Sequence, residues 1–468
     1  MDFADLRYWL ATGAVVLTFL ALSAAFRLAG RRVSGRVDKA FLVLAGLLAL
    51  GLAGAETLAV FLAESVSAYG FAALAARAGG RRPRRAVCFA AVAVLLAPLA
   101  YFKYRGFVLG IFGCGAPPRL PAAVPVGISF YTFQAIAFVV DTARGGAALP
   151  PFLDYMSFAA FFPQIVAGPI ERRGALLPQM RRFRFRWRTS DVEWGLRYVV
   201  LGLFFKLCLG DNLALCHCGD PGGNVFALWL DNVSFGLRIY FDFCGYGLSA
   251  YGVARCAGIR LTQNFASPYS ACDITDFWRR WHRSLTNWFR DYVYFPLGGN
   301  RTKAWAVNLV AVFALSGLWH GASWNFVLWG LANGIAIAVH KFFSKTLGLR
   351  MPAVPAKILL LVFVFYAWML FDAGDAGSLA ARHALLLDPA GYSAAAAAAL
   401  PRLFTAQFVP AFFLLPLSAL VVASETVCVR RKRNPYAMLL SLPALCAEIL
   451  LTFLLSSGHA NEFMYFAF

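Results

Sequence analysis

The amino-acid sequence predicts an all-α membrane protein that crosses the bilayer many times. Of its 468 residues, 60% are hydrophobic and only 14% are charged, whereas a soluble domain carries about a quarter charged residues. Apolar stretches of about 20 residues, the length that a helix needs to cross a bilayer, recur along the whole chain. No long polar block separates them, so we expect a single membrane-embedded domain over residues 1–468.

Each predicted span rests on one apolar run. The first run precedes a basic segment without a small-residue cleavage site, so we expect a retained anchor helix. The stretch 152–170 is interrupted by Pro163, Gly168 and Pro169, which predicts a segment that dips into the membrane or lies in its interface. The alanine run after Ser393 predicts a short helix in an outer connection. The twelve predicted spans lie near residues 8–26, 40–55, 57–76, 86–102, 120–140, 194–213, 225–253, 304–320, 322–343, 356–374, 409–427 and 437–457.

The distribution of positive charge predicts the orientation in the membrane. The net charge is +20, and 33 of the 43 Lys and Arg residues fall in alternate connections between the spans. Such basic connections mark the cytoplasmic side, so we expect a protein of the inner (cytoplasmic) membrane with both termini outside. The segment "MRRFRFRWR", residues 180–188, alternates arginine with aromatic residues. This pattern fits single-stranded nucleic-acid binders or an anionic membrane surface, and we favour the membrane surface and expect no nucleic-acid partner.

Cysteine and metal motifs give no support to other classes of function. The ten cysteines are scattered, mostly within apolar runs, and predict no disulfide framework. The "CHC" at 216–218 lacks a second Cys/His pair at a suitable spacing, so we expect no metal site. The sequence has no phosphate-binding glycine loop, no HExxH and no GxSxG, which leaves nucleotide hydrolysis and serine hydrolysis without a motif.

Two of the six histidines occupy unusual positions. His320 falls at the apex of a predicted hairpin of two spans, where an ionisable side chain predicts a functional role. An imidazole titrates near neutral pH and can act as a general base; the alternative is an interhelical hydrogen bond. Gly317 and Gly321 beside it predict close approach of a substrate. His282 lies in the most polar stretch of the C-terminal half, on the predicted inner side.

Several long motifs resemble those of one family. They include "PVGISFYTFQAIAFVVD" at 125–141, "FFPQIVAGPIER" at 161–172, "IYFDFCGYG" at 239–247, "DFWRRWHRSL" at 276–285 and "GLWHGASWNF" at 317–326. In this order they are similar to the membrane-bound O-acyltransferase (MBOAT) family, in particular its bacterial AlgI-like and DltB-like branch. The resemblance implies a ring of about 11–12 transmembrane helices with re-entrant and interfacial helices.

The resemblance also implies the roles of individual residues. It places His320 as the catalytic residue and His282 as the second polar position. We expect a thioester donor, acetyl-CoA or an acyl carrier, and no tightly bound cofactor. The candidate donor-binding residues are the arginines of the "WRRWHR" segment, which either bind phosphate or only set the topology. The candidate oxyanion donors are one residue just before His320 and one a few positions after it. These candidates are Arg279, Arg280, Arg283, Trp319 and Asn325.

The implied function is O-acylation of a glycan outside the cell membrane. We expect transfer of an acyl group, acetyl in the first place, from the cytoplasmic donor across the membrane. A separate extracytoplasmic acetyltransferase is the expected partner, and a polysaccharide or cell-envelope glycan the final acceptor. The sequence departs from the AlgI-like pattern at "FCGYGLSA" and at Asn333, which leaves the acceptor open. D-alanyl transfer and a non-catalytic transporter or scaffold for polymer export remain alternatives.

Overall fold

The computed structural model describes residues 18, 34–113, 124–145, 148–186, 188–216, 223–349, 351–403 and 409–456. Over these residues it is helical, with no strand, which confirms the all-α class. Two compact units emerge from the packing of the chain. Unit 1 comprises residues 1–199 and 247–263, and unit 2 comprises residues 200–246 and 264–468. The expectation of a single domain stays a prediction.

Unit 1 is built mainly from the first part of the chain. Its helices pack through small and apolar side chains, and α2 contacts both α1 and α5. A buried polar pair lies inside this packing: the Thr132 hydroxyl of α5 donates to the carboxylate of Glu64 on α2, at 2.8 Å. The helices are α1 (Gly35–Ala53), α2 (Ala55–Arg77), α3 (Arg81–Leu99), α4 (Arg105–Ile111), α5 (Ile128–Ala143), α6 (Phe152–Ala159), α7 (Phe162–Ile165), α8 (Arg173–Arg182) and α9 (Thr189–Leu203), of which the last extends into unit 2.

Unit 2 contains the long helices of the C-terminal half and several short polar ones. A π turn over Phe204–Gly210 continues α9. The helices that follow are α10 (Asp211–Leu213), α11 (Val225–Cys256), whose end belongs to unit 1, α12 (Ile274–Arg280), α13 (Arg283–Phe289), α14 (Trp305–His320), α15 (Trp324–Lys341), α16 (Ala353–Asp372), α17 (Ala376–Leu387), α18 (Ala394–Leu403), α19 (Val409–Arg430) and α20 (Leu442–Leu455). Short 3-10 turns cover Ala214–Cys216, Pro268–Ser270, Gly299–Arg301 and Pro389–Tyr392, and π turns cover Ala100–Tyr104, Arg290–Tyr294 and Phe342–Thr346.

The described helices confirm a polytopic membrane protein. Six segments are long and apolar enough to cross a bilayer, and three shorter apolar helices accompany them: α5, α14 and α20. The six are Ala55–Arg77, Arg81–Ile111, Thr189–Cys216, Trp324–Thr346, Ala353–Asp372 and Phe413–Arg430. These nine match nine of the twelve predicted spans. Two further predicted spans correspond to α1 and α11, and the span near 8–26 lies outside the described residues, apart from residue 18.

Helix α11 carries a buried charge, Asp242, that is paired within unit 2. Lys206, in the π turn that continues α9, lies 2.6 Å from Asp242 on α11 and 2.9 Å from Asp211 on α10. All three side chains are buried. A charge at membrane depth is expensive unless it is paired inside the protein, so this contact allows α11 to remain in an apolar environment.

The broken backbone predicted for 152–170 and the short helix predicted after Ser393 are both present, whereas their predicted placements relative to the membrane stay predictions. The stretch 152–170 breaks into α6 and α7, and most of its side chains after Asp154 are buried in unit 1. Irregular backbone at membrane depth is tolerated where protein covers it. The alanine run after Ser393 forms α18.

Helices α14 and α15 form the predicted hairpin, and glycines bring the two together. A Cβ atom on Gly317 would lie 2.0 Å from the carbonyl oxygen of Phe326, and one on Gly330 would lie 2.2 Å from that of Phe313. Such small residues let two apolar helices approach until their backbones touch. The space beside Gly317 and Gly321 is therefore filled by Phe326, not left for a substrate as the sequence analysis expects.

We expect Gly317→Ala to lower the thermal unfolding midpoint of the detergent-purified protein. The added methyl group must displace the backbone of Phe326, an overpacking that costs about 1–3 kcal/mol. Gly70→Ala is the matched control, because nothing lies within 4 Å of its Cβ position and the helix α2 gains helix propensity there. Equal midpoints for Gly317→Ala and the native protein would contradict the close packing of α14 on α15.

Candidate active site

His320 is the last residue of α14 and is 4% exposed. Its imidazole contacts three aromatic rings edge-on, those of Trp319, Trp329 and Phe371, with centroid distances of 4.9, 5.2 and 5.3 Å. Edge-to-face contacts of this kind fix the plane of a ring. The hairpin and α16 therefore hold His320 in one orientation.

His282 lies in the short connection between α12 and α13, and its backbone is strained. Its φ of 40° and ψ of 54° are left-handed values that residues other than glycine rarely adopt. Asn264 stabilises this turn, because its carbonyl oxygen accepts from the Arg283 amide at 2.9 Å and its side-chain oxygen accepts from the Ser284 amide at 3.4 Å. Strain of this kind persists where surrounding contacts over-determine it, often at functional sites.

The two histidines lie near each other. Their ring centroids are 6.5 Å apart, and His282 also contacts Trp319 at 5.9 Å and Phe243 at 4.7 Å. His282 is 1% exposed, and burial lowers its pKa to about 3 because a charged imidazolium would lose its hydration. His282 is therefore neutral at physiological pH and is suited to orienting a substrate by hydrogen bonding.

Both histidines line one cavity of about 590 Å³ in unit 2. One face of α14 forms a wall, from Leu309 through Val312 and Ser316 to His320. His320 lies eleven positions after Leu309, roughly 16 Å along a helix. The cavity is thus long enough to hold an extended molecule with one end at His320.

The lining of this cavity carries several cations. Arg279, Arg283, Arg290, Lys341 and Lys345 line it, together with one carboxylate residue, Asp273. The Asp273 carboxylate accepts from the Asp276 amide at the start of α12, and Arg290 pairs with Asp291 at 2.8 Å. Lys341 lies over the ring of Trp305, the first residue of α14, whereas His320 is the last residue of that helix, so part of this positive charge lies at the opposite end of α14 from His320. A cationic lining of this kind attracts anionic groups.

The structure separates the predicted donor-binding arginines. Arg279 and Arg283 line the cavity, but Arg280 does not. Arg280 pairs with Asp276 at 2.9 Å and donates to the Ala266 carbonyl and the Ser270 hydroxyl. Through these bonds the Arg280 guanidinium holds the connection before α12, which favours a structural role for Arg280.

The predicted oxyanion donors, Trp319 and Asn325, do not line the cavity that the two histidines line. Trp319 is buried against both imidazoles but is not among the residues that line the cavity. The side-chain amide of Asn325 donates to the carbonyl oxygen of Ala373 and also does not reach the cavity. Their predicted roles as oxyanion donors stay predictions.

Lys341, Lys345 and His340 at the end of α15 are the residues that the sequence analysis missed. Lys341 and Lys345 count there only as cytoplasmic charge, yet both line the cavity. The sequence does show that this basic turn ends the span that follows His320, and that position could have indicated a role beside the histidine. Asn333, a departure from the AlgI-like pattern, accepts from the indole N–H of Trp278 in the cavity wall at 3.2 Å.

Among the described residues no three His, Cys, Asp or Glu side chains are grouped as metal ligands would be. The "CHC" motif falls largely outside those residues, since 217–222 are not described.

The apolar helices define an integral membrane protein, and in its unit 2 both histidines and several cations line one cavity. Residues 223–374 match the family described as MBOAT, membrane-bound O-acyltransferase. The chain is 34% identical to a Pseudomonas putida protein named probable alginate O-acetylase AlgI, over 68% of each chain. The chain belongs to the membrane-bound O-acyltransferase family.

Other relatives carry different names. A Helicobacter pylori protein named peptidoglycan O-acetyltransferase is 35% identical over 59% of each chain. A Bacillus subtilis protein named teichoic acid D-alanyltransferase is 30% identical over 47% of this chain and 60% of its own. The chain thus spans about three fifths of the length of these two relatives.

The lowered pKa of His282 predicts a pH-dependent stability. The folded value of about 3 lies below the ordinary value of 6.5, so between them the unfolded chain binds the extra proton. This contribution is present above pH 6.5 and is lost as the pH falls toward 3. From pH 7 to pH 5 we expect a loss of roughly 2 kcal/mol in the native protein that His282→Asn does not show. Thermal unfolding of both proteins in detergent measures it, and parallel pH curves would contradict the buried, neutral imidazole.

Proposed function

We propose that the chain is an acyltransferase that moves an acyl group from a cytoplasmic thioester to a hydroxyl acceptor. The observation that supports the proposal is one cavity lined by both His282 and His320 and by several cations, of which Lys341 lies at the opposite end of α14 from His320. A thioester of coenzyme A or of a carrier's phosphopantetheine has the matching form: phosphate at one end, a flexible arm, and a reactive carbonyl at the other. Family membership and the O-acetyltransferase names of relatives support the same chemistry.

In this mechanism His320 acts as the general base. One imidazole nitrogen accepts the proton of the acceptor hydroxyl while the oxygen attacks the thioester carbonyl. The carbon–sulfur bond then breaks, the ester forms, and the proton passes from His320 to the departing sulfur as a thiol. His282 is neutral and buried beside His320, which suits it to orient the carbonyl group or to relay the proton.

We also propose an orientation and a destination. The cations of the cavity come from the connections predicted to be cytoplasmic, which supports a donor that enters from that side of the inner membrane with both termini outside. The acyl group is then passed through an extracytoplasmic acetyltransferase to a polysaccharide or envelope glycan. Trp324, 58% exposed at the first turn of α15, offers an apolar contact for such a partner.

The relative named teichoic acid D-alanyltransferase keeps D-alanyl transfer as a second candidate. Purified protein supplied separately with acetyl-CoA and with a D-alanyl carrier thioester distinguishes the two by which thioester is consumed. The consumption of either also separates an enzyme from a transporter or scaffold.

Substitution of His320 tests the catalytic assignment. We expect His320→Ala to lower thioester consumption by roughly 10² to 10⁴, the usual contribution of a general base. His383→Gln is the control, because this histidine bonds Tyr366 and the Leu379 carbonyl away from the cavity. Full activity of His320→Ala, with the control also active, would return His320 to a structural role.

A second prediction concerns the donor end. Arg279→Gln and Arg283→Gln each remove one cation from the cavity, so we expect a raised donor KM with kcat little changed. Raised salt should act in the same direction on the native protein. Arg301→Gln removes the same charge from an exposed position outside the cavity and should leave KM unaltered. If all three variants behave alike, the arginines set topology and do not bind the donor.

A further inference from the structure

A second basic cavity lies in unit 1, apart from the proposed catalytic residues. It measures about 380 Å³ and is formed where the segment after α8 meets the turn that follows α11. Four arginines line it: Arg182, Arg184, Arg186 and Arg188. Neither the acyl-transfer chemistry nor the family motifs assign a role to this place.

The alternation of "RRFRFRWR" explains how four arginines reach one cavity. Residues 183–186 are non-helical, and in an extended chain neighbouring side chains point to opposite faces. The even-numbered arginines are exposed, whereas Phe183 is 5% exposed and packs inside unit 1. The buried Phe183 thus anchors the segment, and the exposed arginines line the cavity.

Three of these arginines keep their charge available. Arg184 lies beside Asp38, so its charge is partly balanced. Within the described part of the chain, no carboxylate lies within ion-pair distance of Arg182, Arg186 or Arg188. The carboxylate in the cavity wall, Asp191, pairs with Arg255 at 2.8 Å. The cavity therefore holds a net positive charge that an anion can neutralise.

The opposite wall of the cavity is fixed. The side-chain amide of Gln179 on α8 donates to the Arg260 carbonyl and accepts from the Arg260 amide, each at 2.9 Å. Ala257, Gly258 and Ile259 lie just before this clamp and line the cavity. A clamped backbone on one side and guanidinium groups on the other form a cleft that is already present without a ligand.

The cavity lies at the end of a helix that can cross a membrane. Arg188 directly precedes Thr189, the first residue of the candidate span Thr189–Cys216. Trp194, five residues into α9, is 44% exposed and stacks on Arg197 at 5.1 Å. Exposed tryptophan marks the membrane–water interface, so the arginines lie at the level of lipid headgroups, and Leu196, 55% exposed, lies beyond them on the membrane side.

We propose that this cavity binds a phosphate group, and that the phosphate belongs to an anionic phospholipid of the leaflet beside it. Guanidinium binds phosphate oxygens through paired hydrogen bonds. Clusters of arginine next to a spanning helix attract anionic headgroups. The exposed apolar side chains of α9 accommodate the acyl chains of the same lipid, which a free phosphate compound lacks. The site is independent of the proposed acyl transfer.

The experiment measures lipid binding by the full chain in neutral detergent. Short-chain phosphatidylglycerol, short-chain phosphatidylcholine and inorganic phosphate are titrated separately while the thermal unfolding midpoint is recorded. We expect saturable stabilisation by phosphatidylglycerol, little effect of phosphatidylcholine, and a much weaker effect of inorganic phosphate. Equal stabilisation by the two lipids would overturn the proposal. Inorganic phosphate that saturates as well as the lipid would overturn the lipid assignment.

Matched variants locate the site. Arg182→Gln/Arg186→Gln/Arg188→Gln should raise the phosphatidylglycerol concentration at half saturation by at least about tenfold. Arg81→Gln/Arg82→Gln/Arg85→Gln removes the same charge from exposed positions away from this cavity and should change it little. If the triple cavity variant does not fold, Arg186→Gln and Arg188→Gln alone should each give about a fivefold shift. Unchanged binding in the cavity variants, or an equal loss in the control, would show that no lipid phosphate binds there.

Discussion

The close contact between α14 and α15 is the constraint on which the proposed active site depends. Gly317 and Gly330 let the two backbones touch, so α14 ends beside the first turn of α15. This ending places His320 against Trp329 and Phe371 instead of in lipid. A bulkier hairpin would move the imidazole away from His282, and the cavity would lose the end at which a carbonyl group can react.

The lining of the cavity has two electrically different parts, one at the histidines and one at the cations, and each is built by a different means. At the histidine end, aromatic rings and burial exclude water, and His282 stays neutral because hydration of its charged form is lost. In the cationic part of the lining, Arg279, Arg283 and Lys345 supply charge. Low polarity strengthens electrostatic effects on a developing oxyanion, whereas cations beside water attract phosphate from a distance. A substrate with phosphate at one end and a thioester at the other satisfies both.

Much of this arrangement can be predicted from the sequence, but the rest depends on which residues contact each other in the folded chain. Apolar runs predict the helices because a bilayer imposes a length, and the position of His320 between two such runs predicts the hairpin. Periodicity does not reveal the partner of a glycine, so Gly317 was assigned to a substrate although Phe326 fills its space. The buried Lys206 resembles any other basic residue in the sequence until Asp211 and Asp242 are found beside it.

Counting charged residues in the sequence also cannot show which side chains are already paired. Lysine and arginine between spans predict which side of the membrane a connection faces, whatever each side chain touches. Binding of an anion needs more, because a cation already paired with a carboxylate must lose that partner first. Arg280 is held by Asp276, whereas its neighbour Arg279 lines the cavity with no ion pair among the described residues. Two adjacent arginines of one motif thus serve different ends, one holding the fold of unit 2 and the other available to a phosphate group.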